Sequence, residues 1–168
     1  MQNNTGYYHS PIGKIQVNSS DGKITGVVFI LSGPESESTV GDAKENFEPV
    51  VRTCLQQLDE YFSGKRKIFD LPLSHTGTDF QKQVWNGLIQ IPYGSTSSYL
   101  QLSKNLGNSK ATRAVGAANG KNKISIIVPC HRVIGSNGNM VGYGGEVWRK
   151  KWLLEHESKY AHGVQKLF

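Results

Sequence analysis

Residues 98–120 read SYLQLSKNLGNSKATRAVGAANG. Ser98 followed by Gln101 is a helix-opening pattern, in which hydroxyl and amide side chains satisfy the orphaned backbone groups of a first turn. The helix it opens runs to about Leu106 and stops at Gly107. A short turn, Gly107-Asn108-Ser109, leads into a second helix from about Lys110 to Ala118. Two short helices joined by a tight glycine-containing turn have the sequence form of a helix-turn-helix, and equally that of a plain helical hairpin. The second helix is unusual in its bulk. Ala111, Ala114, Gly116, Ala117, Ala118 and Gly120 leave almost no side chain, with Arg113 the one long cation in their midst. Such a helix can bring its backbone close to another helix, or to a nucleic-acid groove with Arg113 as the reaching side chain.

Charge favours the groove. The chain of 168 residues carries a net +6, unevenly spread. Residues 1–75 hold 7 Lys/Arg against 9 Asp/Glu, a net of −2, whereas residues 76–168 hold 12 against 4, a net of +8. A basic half beside a mildly acidic one suggests a polyanionic partner for the former. A solvated basic surface explains the charge alone equally well, but as the background of the small-residue helix the charge tilts the reading towards the groove.

The same division appears in the element pattern. Lys14 to Asn18 and Lys23 to Ile30 are β-rich runs flanking Ser19-Ser20-Asp21-Gly22, whose Asp-Gly is a hairpin signal, and Tyr7 to Ser10 suggests a third strand. SGPESESTVGD, residues 32–42, reads as a loop. From Asp42 to Phe62, apolar positions three and four apart predict an amphipathic helix with Cys54 on its buried face as an inert packing thiol. Leu71 to Thr78 reads as a linker. Thr78 and Gln81 then form a capping box that opens a helix with Phe80, Val84, Leu88 and Ile91 on one side. The expected fold is α+β, with a small N-terminal α/β domain over residues 1–75 (antiparallel sheet plus helix) and a mostly helical domain over residues 76–168.

Function classes narrow quickly. No apolar run approaches the ~18 residues of a membrane span, and MQNNTGYYHS shows no secretory signal. The chain is expected inside the cell, in the cytoplasm if bacterial and the nucleus if eukaryotic. Two cysteines without CxxC spacing suggest neither a disulfide framework nor structural zinc.

The second cysteine lies in Ile124–Gly138, ISIIVPCHRVIGSNG. The apolar run predicts a short buried strand that ends at Pro129 and presents Cys130 at its tip. A strand would point Cys130 and His131 to opposite faces, so adjacency alone does not make them a dyad; a turn or a bridging water is needed. His131 and Arg132 offer a base and a positive charge to a thiol that ordinarily titrates near ~8.5.

Residues 124–157, ISIIVPCHRVIGSNGNMVGYGGEVWRKKWLLEHE, closely resemble the active-site region of the O(6)-alkylguanine-DNA alkyltransferases, the methylated-DNA–protein-cysteine methyltransferases. PCHRV is specific to that family. It arrives in order with IPYG at 91–94, SSY at 97–99, ATRAVG at 111–116, Asn122 and the YGG…WLLEHE ending. The resemblance implies an RNase H-like first domain and a winged-helix-like second one. It implies a single-turnover reaction in which Cys130 takes the alkyl group directly from O(6)-methylguanine, and less well from O(4)-methylthymine. His131 corresponds to the general base, acting through a water, and Glu157 to the carboxylate that orients it. Asn122 joins the hydrogen-bond network. Arg113 fills the gap left by a base flipped from the duplex, and Tyr99 helps to rotate it out. Val133 recognises the guanine through its backbone, and Tyr143, Gly144 and Gly145 wall the pocket. The expected partner is alkylated double-stranded DNA, met through its minor groove by a monomer. No cofactor, metal or membrane is implied.

Two positions depart from the family pattern. Asn122-Lys123 replaces the common Asn-Pro, and Gly145-Glu146 replaces a glycine pair, placing an acidic side chain beside the pocket loop. Both bear on substrate range and leave the nucleophile untouched. Two other readings remain distinct: a damage-binding protein without transfer, which the presence of Cys130 disfavours, and a turnover thiol hydrolase or acyltransferase, which leaves the Arg113 helix unexplained.

Overall fold

The computed structural model describes residues 4–30, 46–135, 138 and 146–163. The chain divides into two compact units, Met1–His75 and Thr76–Phe168.

The first unit is a sheet covered by one helix. Strands β1 (Thr5–Ser10), β2 (Gly13–Ser20) and β3 (Lys23–Phe29) pair antiparallel in sequence order. The β2–β3 turn is Asp21-Gly22, both at positive φ (52° and 75°), the geometry that matches the right-handed twist of its strands. Alternation buries Tyr8, Ile15 and Val17, and a register shift between Asn18 and Ser19 brings both Ile24 and Val27 of β3 to the same core. Helix α1 (Pro49–Phe62) brings Val51, Cys54, Leu55, Leu58 and Tyr61 to the core. Gly6 permits the close approach, because a Cβ there would lie 2.9 Å from a methyl of Val51.

Two expectations change here. The helix begins at Pro49, not Asp42. Proline has no N–H to continue a helix backwards, and it holds Glu48 extended (φ −55°, ψ 142°). Phe47 is therefore buried ahead of the helix. The segment after residue 70 is also more than a linker. Ile24 N–H donates to Pro72 O and Ser74 N–H to Ile24 O, both at 2.8 Å, so Leu73 pairs alongside β3. The loop expected at residues 32–42 lies outside the described residues.

The second unit is mostly helical. Helix α2 (Asp79–Ile89) opens with the Thr78–Gln81 capping box in both directions. The two-residue strand β4 (Ser97–Ser98) leads into α3 (Tyr99–Asn105), capped by Ser98 Oγ accepting from Gln101 N–H at 2.9 Å. Helix α4 (Thr112–Gly120) follows the Gly107 turn and completes the helix-turn-helix. It starts and ends two residues later than its composition suggests. Asn108 explains the start: its side chain and carbonyl accept from Lys110 and Ala111 N–H, holding those residues in a turn. Trp85 donates from Nε1 to Ala118 O at 2.9 Å, tying α2 to α4.

The run Ile124–Val128 is buried but is not a strand. Its backbone folds into turns, with Val128 N–H donating to Ile124 O at 3.0 Å and Ile126 at φ 72°. The Asn122 amide replaces a sheet partner. Its Oδ1 accepts from Ile124 N–H at 3.0 Å and its Nδ2 donates to Val128 O at 2.9 Å. Buried backbone groups need partners of some kind, and one side chain supplies them here. A positive φ is uncommon for a β-branched residue and costs about 1–3 kcal/mol. This conformation persists because Asn122 and the surrounding core enforce it.

After Pro129 the chain enters a 3-10 turn, Cys130–Arg132, then β5 (Val133–Ile134), which pairs parallel with β4. Helix α5 (Val147–His162) ends at Gly163 in the left-handed conformation. None of the described helices is long and apolar enough to cross a membrane.

Candidate active site

The 3-10 turn removes the difficulty that a strand would pose. Cys130 and His131 are consecutive in a tight turn, both buried, and α5 approaches that turn from outside. His131 Nε2 lies 2.7 Å from Glu157 Oε1, both side chains fully buried. An ionised carboxylate cannot donate, so Nε2 carries the proton and Nδ1 presents its lone pair. Nδ1 is buried without a protein hydrogen-bond partner among the described residues.

Burial lowers the His131 pKa and outweighs the Glu157 charge and hydrogen bond, which raise it; Arg132 and Lys150 add to the lowering. Burial alone would raise Glu157. The charge and hydrogen bond of His131, with those of Arg132, overturn this and hold its carboxyl well below the usual range. The result is a neutral imidazole leaning on an anion.

Cys130 is itself pushed up by burial, so the resting form is the thiol. Four features oppose that penalty: a hydrogen bond from the Asn122 side chain, the charge of Lys150, and the backbone N–H groups of Cys130 and His131. Each favours the thiolate once the proton has gone. Cys54 provides the contrast. It lies in the core of the first unit, burial alone raises it to about 12, and no compensating group opposes the shift.

The other expected site residues fall in three places. Tyr99, at the start of α3, is half-buried, hydrogen-bonded to Asn119 and close enough to Cys130 for their charges to interact. Val133 follows the turn directly; it is buried and in register with Ser97. Arg113 stands apart on the exposed side of α4, where Ala114, Ala117 and Gly120 are exposed too. Tyr143, Gly144 and Gly145 lie outside the described residues. Glu146 sits at φ 79°, and its carboxylate accepts from Trp148 Nε1 at 2.6 Å with Arg149 Nη1 3.7 Å away. Lys123 is exposed.

Two residues that the sequence did not single out, Lys150 and Asn119, lie beside Cys130, and Arg132 takes a different partner from the one expected. Lys150 is fully buried, donates from Nζ to the Val133 carbonyl and faces the Cys130 thiol. Burial lowers its ammonium to about 8, against the pull of the cysteine charge. Its spacing was a usable signal: Lys150 stands three, four and seven residues before Leu153, Leu154 and Glu157, on the apolar side of the helix. Asn119 is buried on α4 and donates to the Cys130 carbonyl at 3.4 Å, so the helix that carries Arg113 is hydrogen-bonded to the Cys130 turn. Arg132 faces Glu157 instead of the thiol, binding Oε2 through Nε and Oε1 through Nη2, each at 2.9 Å.

Among the described residues no group of three or more His, Cys, Asp or Glu is placed to hold a metal ion. A cleft of about 580 Å³ opens between α2 and α3, lined by Gly87, Leu102 and Leu106 with Gln83, Asn86 and Asn105. It contains none of these site residues.

Comparison with known proteins matches both units. Residues 4–75 fit the ribonuclease-like domain of 6-O-methylguanine DNA methyltransferase, and residues 79–159 fit its DNA-binding domain. A methylated-DNA–protein-cysteine methyltransferase of Methanosarcina acetivorans is 45% identical over 150 residues, covering 89% of this chain and 95% of that one. The crystal structure of Mycobacterium tuberculosis O6-methylguanine methyltransferase superposes with a TM-score of 0.79 at 39% identity, covering 95% of this chain and 96% of that one. A structure of the Mycobacterium tuberculosis protein in complex with DNA gives the same TM-score and identity over 92% of this chain and 94% of that one.

Proposed function

The chain belongs to the 6-O-methylguanine DNA methyltransferase family, and from that premise we propose how its buried cluster acts. It is a DNA-repair alkyltransferase that takes the alkyl group of O(6)-methylguanine, and less readily of O(4)-methylthymine, onto Cys130. The observation that carries this reading is a buried thiol on which the Asn122 side chain, the Lys150 charge and the backbone N–H of His131 converge, in the same turn as a His131–Glu157 pair.

The thiol proton passes through a water to His131 Nδ1, whose lone pair is left to receive it, and Glu157 stabilises the imidazolium that results. Lys150 and the Asn122 amide hold the thiolate. It attacks the alkyl carbon in line, a sulfur–carbon bond forms, and the guanine oxygen leaves with the electrons of the broken carbon–oxygen bond. The product is a thioether that nothing in the cluster can reverse, so each chain acts once.

A base inside a duplex cannot reach a buried thiol, so the nucleotide must be flipped. The exposed side of α4, bare but for Arg113, enters the minor groove, and Arg113 occupies the vacated stack. Tyr99 turns the nucleotide, and the Asn119 link carries the position of α4 to Cys130. The Val133 backbone meets the guanine at the cluster's edge, with Tyr143, Gly144 and Gly145 walling the pocket. The protein acts as a monomer.

Incubation with duplex oligonucleotide carrying labelled O(6)-methylguanine separates this reading from the others. Label transferred in a one-to-one ratio, and lost in Cys130→Ala, supports it. Binding without transfer would leave a damage-recognition protein, and continued turnover would indicate a thiol hydrolase.

A further inference from the structure

Arg132 lies two residues after the nucleophile, where its charge would be expected to serve the thiol. The guanidinium is used otherwise. Nε donates to Glu157 Oε2 at 2.9 Å and Oε1 at 3.2 Å, and Nη2 to Oε1 at 2.9 Å. Nη1 donates to the Ile91 carbonyl at 2.7 Å, and the guanidinium carbon stands 5.7 Å from the centroid of the Tyr93 ring. The side chain is only 8% exposed. The forked guanidinium is thus committed to a carboxylate already bonded to His131.

This sharing has a consequence for the proton relay. An imidazole beside a carboxylate ordinarily gains a proton more easily, by about 1–3 pKa units at contact distance. A base that is already protonated cannot accept from the thiol. Oε1 of Glu157 accepts from His131 Nε2 and from Arg132 together, and Oε2 accepts from Arg132 and, at 3.4 Å, from Gly94 N–H. We propose that Arg132 is a positioning residue of the relay, which by sharing Glu157 with His131 keeps the carboxylate ionised and aimed while leaving the imidazole neutral until the thiol's proton arrives. The inference rests on the assignment of His131 as the base.

The groups facing His131 agree with it. Its own turn brings Cys130 and Arg132, and α5 brings Glu157 and Lys150. Helix α2 also packs on the turn, but its two charged residues, Asp79 and Lys82, are exposed. Glu157 is therefore the one anion near the ring among the described residues other than the thiolate itself, and Arg132 is the group that divides its attention. The same guanidinium anchors to Ile91 and Tyr93, which fixes where the shared carboxylate sits.

The test is the pH dependence of alkyl transfer, measured with O(6)-methylguanine both as free base and in a duplex, for the parent, Arg132→Gln, Arg132→Lys and His131→Gln. With Arg132→Gln the His131–Glu157 pair should take up a proton more readily, and the acidic limb of the rate profile should move up by about one pH unit or more. Arg132→Lys restores the charge without the forked contact, so its limb should return towards the parent while its plateau stays low. A limb unmoved in Arg132→Gln, with His131→Gln strongly impaired, overturns the role of Arg132 and leaves the relay standing. If His131→Gln transfers at the parent rate, the relay itself is wrong. Should Arg132→Gln fail to fold, the parent decides: NMR of the labelled imidazole should find His131 neutral at pH 6.5, and a protonated ring at that pH overturns the proposal.

Discussion

Replacing Lys150 with methionine should move stability and activity in opposite directions. Burial lowers the Lys150 ammonium from 10.5 to about 8. At ~1.4 kcal/mol per unit, keeping this charge in the fold costs about 3 kcal/mol. Methionine removes that cost and fills similar volume, but it leaves the Val133 carbonyl without the ammonium it accepts from, a loss of about 1–3 kcal/mol. The variant should therefore be as stable as the parent at pH 7, or more stable by up to about 2 kcal/mol. The thiolate loses its cation, and a contact of this kind is worth about 1–3 pKa units, so transfer should slow by at least about tenfold. Urea unfolding and single-turnover transfer to Cys130, run on both proteins, measure the two quantities. The pH dependence adds a signature. Between about pH 8 and the ordinary lysine range the folded parent has lost the Lys150 proton while the unfolded chain retains it. Stability of the parent relative to the variant should consequently rise with pH across that window. A variant that loses stability yet transfers at the parent rate would refute the reasoning, because Lys150 would then be a structural residue only.

Glu157, Arg113 and Cys130 each give a further outcome. Glu157→Gln leaves the buried Arg132 guanidinium without its anion and should cost about 3–5 kcal/mol in chemical denaturation; a loss below about 1 kcal/mol would contradict the shared ion pair. Because the Glu157 carboxyl is held well below its ordinary range, its contribution is present above the unfolded value of ~4.3 and is lost as pH falls below it, a loss the Gln variant should lack. Arg113→Ala should slow repair in duplex DNA far more than reaction with the free base, and equal losses on both substrates would argue against flipping. Methylation of Cys130 adds bulk to a packed turn, so the spent protein should be less stable by about 1–3 kcal/mol, which an unchanged melting temperature would contradict.

Much of the fold was legible because its decisive signals are local. Asp21-Gly22 fixes a hairpin within four residues, and Thr78 with Gln81 opens α2 by hydrogen bonds that span three. The misread stretches have longer-range causes. Ile124–Val128 has the composition of a buried strand, and only the Asn122 amide, which satisfies that backbone from outside the run, shows why it turns instead. The start of α1 followed apolar spacing back to Asp42 and passed over Pro49, although proline's missing N–H carries that boundary in the sequence. In the candidate site, Cys130 and His131 are adjacent in the chain, yet their geometry depends on a 3-10 turn that periodicity does not reveal. Lys150 was passed over although its spacing sets it on the apolar side of α5, and Asn119 and the partner of Arg132 escaped because a polar side chain gives no sign in the sequence of what lies opposite it. Each acquires meaning only when α5 and α4 close on the turn.

The central claim is that Cys130, and not merely the protein, receives the alkyl group. The chain has two cysteines, Cys54 and Cys130, and they differ in surroundings as much as in position. Peptide mapping by mass spectrometry, after reaction with excess duplex carrying O(6)-methylguanine, compares them directly. The account predicts one methyl group per chain, on the peptide containing Cys130, with Cys54 unmodified and no further methyl released. Methyl on Cys54, or demethylated DNA accumulating beyond one equivalent of protein, would contradict it.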